Sequence, residues 1–278
     1  MSADAWRIPP GSEVSLAQFP TADTSGFEDK DQATAVMSAD IERLRDLQEL
    51  FYADGRFAVL LVLQGMDTSG KDGTVKHLSS GISLVGAEMT NFKAPSEREL
   101  AHDFLWRVHQ HAPERGRIGI FNRSHYEDVL VVRVHNLVPR DVWESRYEQI
   151  NAFERILTLN HTIVIKCFLH ISNDEQKERL LARLDNPAKH WKFNPGDLKE
   201  RSYWDAYQQA YEAALSRCNT ADAPWYIIPA DKKWHRNYAV TRILVETLER
   251  LDLRPPTPDF DPQAMRAELS SRRAGCNR

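Results

Sequence analysis

The sequence predicts one α/β domain whose parallel sheet is covered by helices on both faces, in three layers. Three observations point there. Short, continuously apolar runs bounded by turn residues recur four times along the 278 residues; such runs suit strands buried on both faces. Stretches with helical signals separate them, giving the βαβα order of a parallel sheet. The first run also leads directly into a glycine-rich loop and a helix.

Residues 1–36 mix Pro, Gly, Ser and Asp with few periodic apolar positions, and an extended N-terminal arm is expected there rather than a packed element. Ser38 is a candidate cap for a helix carrying Ile41, Leu44, Leu47 and Phe51 at helical spacing, closed by Asp54-Gly55. The expected strands are RFAVLLVLQG (56–65), RIGIF (117–121), TIVIKCFLHI (162–171) and WYIIPA (225–230). Ser96 with Glu99 and Ser172 with Glu175 have capping-box spacing at helix starts. Val240, Ile243, Leu244, Thr247, Leu248 and Leu251 make one face of a last helix, stopped by Pro255-Pro256. The main domain is therefore expected over 37–255, followed by a polar tail over 256–278.

Composition narrows the class. A net charge of -4 argues against a general nucleic-acid binder, and 42% hydrophobic with 27% charged residues is ordinary for a soluble chain. No apolar run approaches the roughly 18 residues of a membrane span, and the amino terminus lacks a secretory pattern, so a cytoplasmic protein without membrane attachment is expected. Cys167, Cys218 and Cys276 are too few and too scattered for a disulfide framework or a metal knuckle.

Chemistry concentrates in three stretches. The first is Gly65-Met66-Asp67-Thr68-Ser69-Gly70-Lys71, which fits GxxxxGK between a buried strand and a helix. Its glycines allow backbone amides to converge on phosphate oxygens, the helix start adds partial positive charge, and Lys71 adds a point charge. Asp72-Gly73 follows, so Asp72 stands where phosphate-binding loops usually place a metal-holding Ser or Thr. Asp67, a carboxylate within the loop, is a candidate for binding metal or for orienting an attacking group.

The second stretch, Asn122-Arg123-Ser124-His125-Tyr126-Glu127-Asp128, begins at the carboxyl end of the second run, the edge where α/β sheets bind ligands. Arg123 suits a forked grip on phosphate, and Glu127 and Asp128 offer carboxylates; His125 reads as a packing residue. The third, Lys177–Arg201, carries seven Lys or Arg (Lys177, Arg179, Arg183, Lys189, Lys192, Lys199, Arg201) against four acids, with Pro187 and Pro195 breaking its helices. Downstream of a phosphate loop this fits a lid over about 177–203 that closes on phosphates. Lys93 and Arg133 are expected to extend its groove.

GMDTSGKDG, TNFKAPSERE, FNRSHYEDVLVVRVH, LARLDNPAKHWKF and APWYIIPADKKW, in this order, resemble the family-2 polyphosphate kinases over about residues 35–252. The resemblance implies a thymidylate-kinase-like P-loop fold with a helical lid. It also implies phosphoryl transfer between inorganic polyphosphate and adenine or guanine nucleotides, with Mg²⁺ or Mn²⁺. Asp67 and Lys71 match the family's loop carboxylate and lysine, while Arg123, Arg133, Arg183 and Lys192 match basic positions near its phosphate channel. Asn122 stands where many members have aspartate, which alters any metal role of that position beside Asp67 and Asp128. FNRSHYED resembles the class III branch, which phosphorylates both nucleoside mono- and diphosphates; Glu127 matches that branch's acidic position. A homodimer or homotetramer is implied as well. The competing expectations are an ATP-dependent nucleoside monophosphate kinase and a non-catalytic polyphosphate- or nucleotide-binding protein.

Overall fold

In the computed structural model, which describes residues 2–24 and 26–273 and side chains to 271, five parallel strands form one sheet in the order β2-β3-β1-β4-β5. They are β1 (Ala58–Gln64), β2 (Ala87–Asn91), β3 (Ile118–Asn122), β4 (Thr162–His170) and β5 (Trp225–Pro229). The four strands expected from apolar runs are present. β2 was not foreseen: it is an edge strand, AEMTN, with Glu88, Met89 and Asn91 exposed, so no apolar run betrays it. β1 lies at the centre, pairing Val62 with Phe121 on one side and Lys166 on the other.

The helices follow in chain order as α1 (Lys30–Asp54), α2 (Lys71–Leu78), the single turns α3 (Glu97–Leu100), α4 (Trp106–His109) and α5 (Val131–Val134), then α6 (Arg140–Leu159), α7 (Asn173–Leu184), α8 (Gly196–Ser202), α9 (Trp204–Arg217), α10 (Lys233–Glu249) and α11 (Pro262–Arg273). Successive strand residues point to opposite faces, and this alternation divides the core in two. Leu60, Val62, Val164 and Phe168 pack with Tyr147, Ile150 and Phe153 of α6 and Tyr211, Ala214 and Leu215 of α9. Val59, Leu61, Leu63, Ile165, Cys167 and Leu169 pack with Leu44, Leu47 and Phe51 of α1 and Val240, Ile243, Leu244 and Leu248 of α10. The three-layer expectation is met.

Several boundaries differ. α1 begins at Lys30 rather than near Ser38, because Asp29 accepts from the amides of Asp31 and Gln32 at 2.9 Å each and caps it earlier. The arm before it is packed, not free: Trp6 lies edge-on against His235 and Tyr238, and the Ile8 amide donates to Trp225 O at 2.9 Å. Ser96 and Glu99 form the full capping box, whereas at α7 only half exists. There Ser172 Oγ accepts from the Glu175 amide, while the Ser172 amide donates to Asp231 instead. α10 ends at Glu249, before the prolines, and the expected tail contains the exposed α11; residues 274–278 lie outside the described residues. No helix among the described residues is long and apolar enough to cross a membrane.

Candidate functional site

All five strands run the same way, so the segments after β1, β3, β4 and β5 meet at one edge. The loop Gly65–Gly70 is shaped by two glycines whose backbone no larger residue fits. Gly65 has φ 150° and a Cβ there would lie 2.6 Å from Leu169 O; Gly70 has φ 103° and a Cβ would lie 1.7 Å from Arg236 Nη1. Thr68 and Arg123, both non-glycine, hold φ 63°. Left-handed backbone of this kind costs about 1 to 3 kcal/mol per residue and persists only where surrounding contacts enforce it.

Those contacts are visible. Arg179 of α7 donates through Nη1 to Thr68 O (2.8 Å) and Ser69 O (3.2 Å), and through Nη2 to Ala230 O (2.6 Å) and Asp231 O (3.0 Å). Arg236 of α10 adds a bond to Ser69 O, and Gln176 Nε2 donates to Asp67 O. Arg179 was expected to bind phosphate. Its guanidinium is instead a brace tying the loop to the end of β5. Lys71 Nζ donates to Gly65 O at 2.6 Å and Met66 O at 3.2 Å. Burial lowers its pKa to about 8, with the nearby Arg123 charge adding to the effect and Asp67 and Glu127 opposing it.

Arg123 extends its fork between two acids, donating to Asp67 Oδ1 at 2.9 Å and Glu127 Oε2 at 3.4 Å. Glu127, then Asp67, hold it firmly protonated against the opposing effect of burial. Asn122 Nδ2 donates to Asp72 Oδ1 at 2.6 Å, which fixes the residue after Lys71. These groups stand between two adjoining cavities. The larger, about 810 Å³, is lined by eight cations (Lys71, Arg123, Arg179, Arg183, Lys189, Lys192, Lys233, Arg236) and five carboxylates (Asp67, Asp72, Glu175, Glu178, Asp197), with Thr68, Gly70, Gly73 and Asn122 also on its wall. The smaller, about 350 Å³, contains Gly65, Met66, Glu127, Val131, His135, Gln176, Glu200, Tyr207 and Tyr211. Asp67, Arg123 and Asp197 line both.

Five expected site residues line neither cavity. Lys93 is exposed, and its carbonyl accepts from Arg107. Ser124 is buried with its hydroxyl between Gln64 Nε2 and the Tyr126 amide, shaping the turn after β3. Arg133 lies over the Trp143 ring and donates to Tyr147 OH. Asp128 pairs with Arg146 at 2.9 Å, and burial pushes its pKa up to about 6; it does not join Asp67. Ser69 is fully buried within the loop. His125 is a packing residue as expected, buried against Glu154 at 3.2 Å.

Lys233 and Arg236 were missed, although they follow β5 at the same sheet edge that made Arg123 a candidate. His135 and Glu200 lie within stretches that the sequence singled out, but neither was marked as a site residue, and Tyr207 lies outside them. Asp67, Asp72 and Asn122 place hard oxygen donors on the larger cavity's wall, and no group of three or more His, Cys, Asp or Glu residues gathers for a metal among the described residues. That set suits a cation such as Mg²⁺, which takes one or two carboxylates and fills its shell with phosphate and water.

Comparison with known proteins agrees with this geometry. The family model described as Polyphosphate kinase 2 (PPK2) matches residues 27–255. An AMP/ADP-polyphosphate phosphotransferase of Meiothermus ruber is 53% identical over 255 residues, covering 91% of this chain and 96% of the relative. An ADP-polyphosphate phosphotransferase of Rhodopseudomonas palustris is 46% identical over 263 residues, covering 90% and 91%. A crystal structure of Polyphosphate Kinase 2 from Arthrobacter aurescens TC1 superposes with a TM-score of 0.94 at 43% identity, covering 98% of this chain and 97% of that one.

Proposed function

The chain belongs to the polyphosphate kinase 2 family, and from that premise we propose that it phosphorylates AMP to ADP and ADP to ATP with inorganic polyphosphate as donor. The observation that carries the reading is the pair of adjoining cavities, one strongly cationic and one small with aromatic walls, joined at Asp67, Arg123 and Asp197. A polyanion needs the first and a nucleoside the second.

The donor chain lies along Lys189, Lys192, Arg183, Lys233 and Arg236, with its terminal phosphoryl group at the shared wall. Lys71 exchanges the carbonyls of Gly65 and Met66 for phosphate oxygens. Its charge then balances the anion instead of being held in a poorly solvated loop. The acceptor's terminal phosphate oxygen attacks the phosphorus from the smaller pocket as the bridging P–O bond to the shortened donor breaks. That oxygen is already anionic, so no base is needed, and positioning with charge neutralisation supplies the catalysis. Arg123 turns one arm of its fork from Asp67 to the transferring group. Asp67, with Asp72 and Asn122 nearby, is the oxygen set for Mg²⁺, which when bound would neutralise phosphate charge beside the transferred group.

The test is nucleotide product analysis after incubation with AMP, Mg²⁺ and long-chain polyphosphate, without ATP. ADP followed by ATP is expected. Consumption of AMP only when ATP replaces polyphosphate would reject the donor assignment in favour of a conventional monophosphate kinase.

A further inference from the structure

The smaller pocket has a polar wall that the transfer chemistry does not use. Glu200 of α8 reaches across to Tyr207 of α9 and to His135, just after α5. Its Oε2 accepts from Tyr207 OH at 2.8 Å and meets His135 Nε2 at 3.0 Å. Tyr203 packs edge-on against the same imidazole, with ring centroids 4.9 Å apart. With Oε2 committed twice, the carboxylate is held in one orientation. Oε1 has no hydrogen-bond partner among the described residues, and the Glu200 side chain retains 33% exposure.

Position in the pocket decides what Oε1 meets. A nucleotide accepting phosphate must present its phosphate end to Asp67 and Arg123, the wall shared with the cationic cavity. His135, Glu200 and Tyr207 line the smaller pocket alone, so they are available to the part of the ligand that does not reach the cationic cavity. A carboxylate also repels phosphate and accepts only from a donor, which on the nucleoside end means sugar hydroxyls or base N–H groups. Val131, Met66 and Tyr211 supply apolar surface on the same pocket, as the flat faces of a base require.

We propose that Glu200, oriented by His135 and Tyr207, reads the edge of the acceptor's base, its Oε1 accepting a hydrogen bond from the exocyclic amino group of adenine. This rests on assigning the smaller pocket to the acceptor nucleotide. Glu200 is thus a specificity residue carried on the lid, and base recognition and lid seating share one carboxylate.

The test compares ADP with purine riboside 5′-diphosphate, which lacks only the 6-amino group, by calorimetric binding to the full chain without polyphosphate. A hydrogen bond to a charged acceptor predicts a preference for ADP of about ten- to a hundredfold. Glu200→Ala should bring the two affinities within about threefold, and Glu200→Gln, which keeps a carbonyl acceptor and the lid contacts, should retain part of the preference. A wild-type protein that binds both equally, or variants that weaken both while keeping the wild-type ratio, would overturn the proposal; the second result is what a purely structural latch would give. No binding of either ligand would overturn it together with the pocket assignment. Polyphosphate-dependent turnover of ADP, measured separately, then shows whether the transferase reading stands when base reading fails.

Discussion

Lys71 should give this enzyme an alkaline limit in the free state and not in the bound state. Its ammonium is buried against two loop carbonyls, and its pKa falls from 10.5 to about 8. Only the protonated form can receive polyphosphate. The protonated fraction then drops from about nine-tenths at pH 7 to about one-tenth at pH 9, so kcat/KM for polyphosphate should fall about tenfold over that range. Bound phosphate restores the charge, so kcat measured at saturating polyphosphate should stay nearly flat over the same interval. The assay is initial-rate ATP formation from ADP between pH 7 and 9.5, at fixed ionic strength and free Mg²⁺. Lys71→Arg, whose guanidinium does not titrate there, should lose most activity and also lose the break. A kcat/KM profile without a break up to pH 9.5, or the same break in Lys71→Arg, would refute the argument. The stability counterpart has a definite sign: the unfolded chain keeps the Lys71 proton to about pH 10.5 and the folded one releases it near 8. Folding stability therefore gains from this group as pH rises through that window, by about 3 kcal/mol in full.

Asp67→Asn should lower kcat by about a hundredfold or more, as loss of a charge at the transfer point does. Asp128→Asn should stay within about threefold, because its carboxylate faces Arg146 and neither cavity; the same turnover assay reads both. Replacing Lys189 and Lys192 together by Ala should raise KM for polyphosphate about five- to tenfold and flatten its salt dependence, since exposed charges on the lid act mainly through screened attraction. Glu154→Ala should destabilise the fold by about 3 to 5 kcal/mol, because it strands Lys166, which is fully buried and donates to Glu154 Oε2 at 2.6 Å. Chemical denaturation measures that loss.

What the sequence made legible follows from burial and from local spacing. β1, β3, β4 and β5 announced themselves because their residues are apolar on both faces, and the loop 65–71 because strand, glycines and lysine adjoin. β2 stayed hidden because an edge strand needs no apolar run. The start of α1 was misplaced because Ser38 and Asp29 are both plausible caps, and only the contact of the first turn chooses between them. Within the site, sequence identified Lys71, Asp67 and Arg123 from their places after strands, yet it could not assign partners. Arg179 carries the same charge as Lys189 and lies on the same basic stretch, but its guanidinium is spent on carbonyls 110 and 111 residues away. Asp128 follows Glu127 directly, and the turn after β3 sends one carboxylate toward Arg123 and the other toward Arg146. Lys233 and Arg236 follow β5 at the same sheet edge at which Arg123 follows β3, so position after a strand is a signal for them as well. His135, Glu200 and Tyr207 come from three elements and have no spacing to find.

The most direct test of the account is a two-substrate initial-rate study, varying polyphosphate and ADP together. Two adjoining cavities with direct transfer across Asp67 and Arg123 require both substrates to be bound at once, which predicts double-reciprocal lines that intersect. Parallel lines, the signature of a phosphorylated enzyme intermediate, would contradict it.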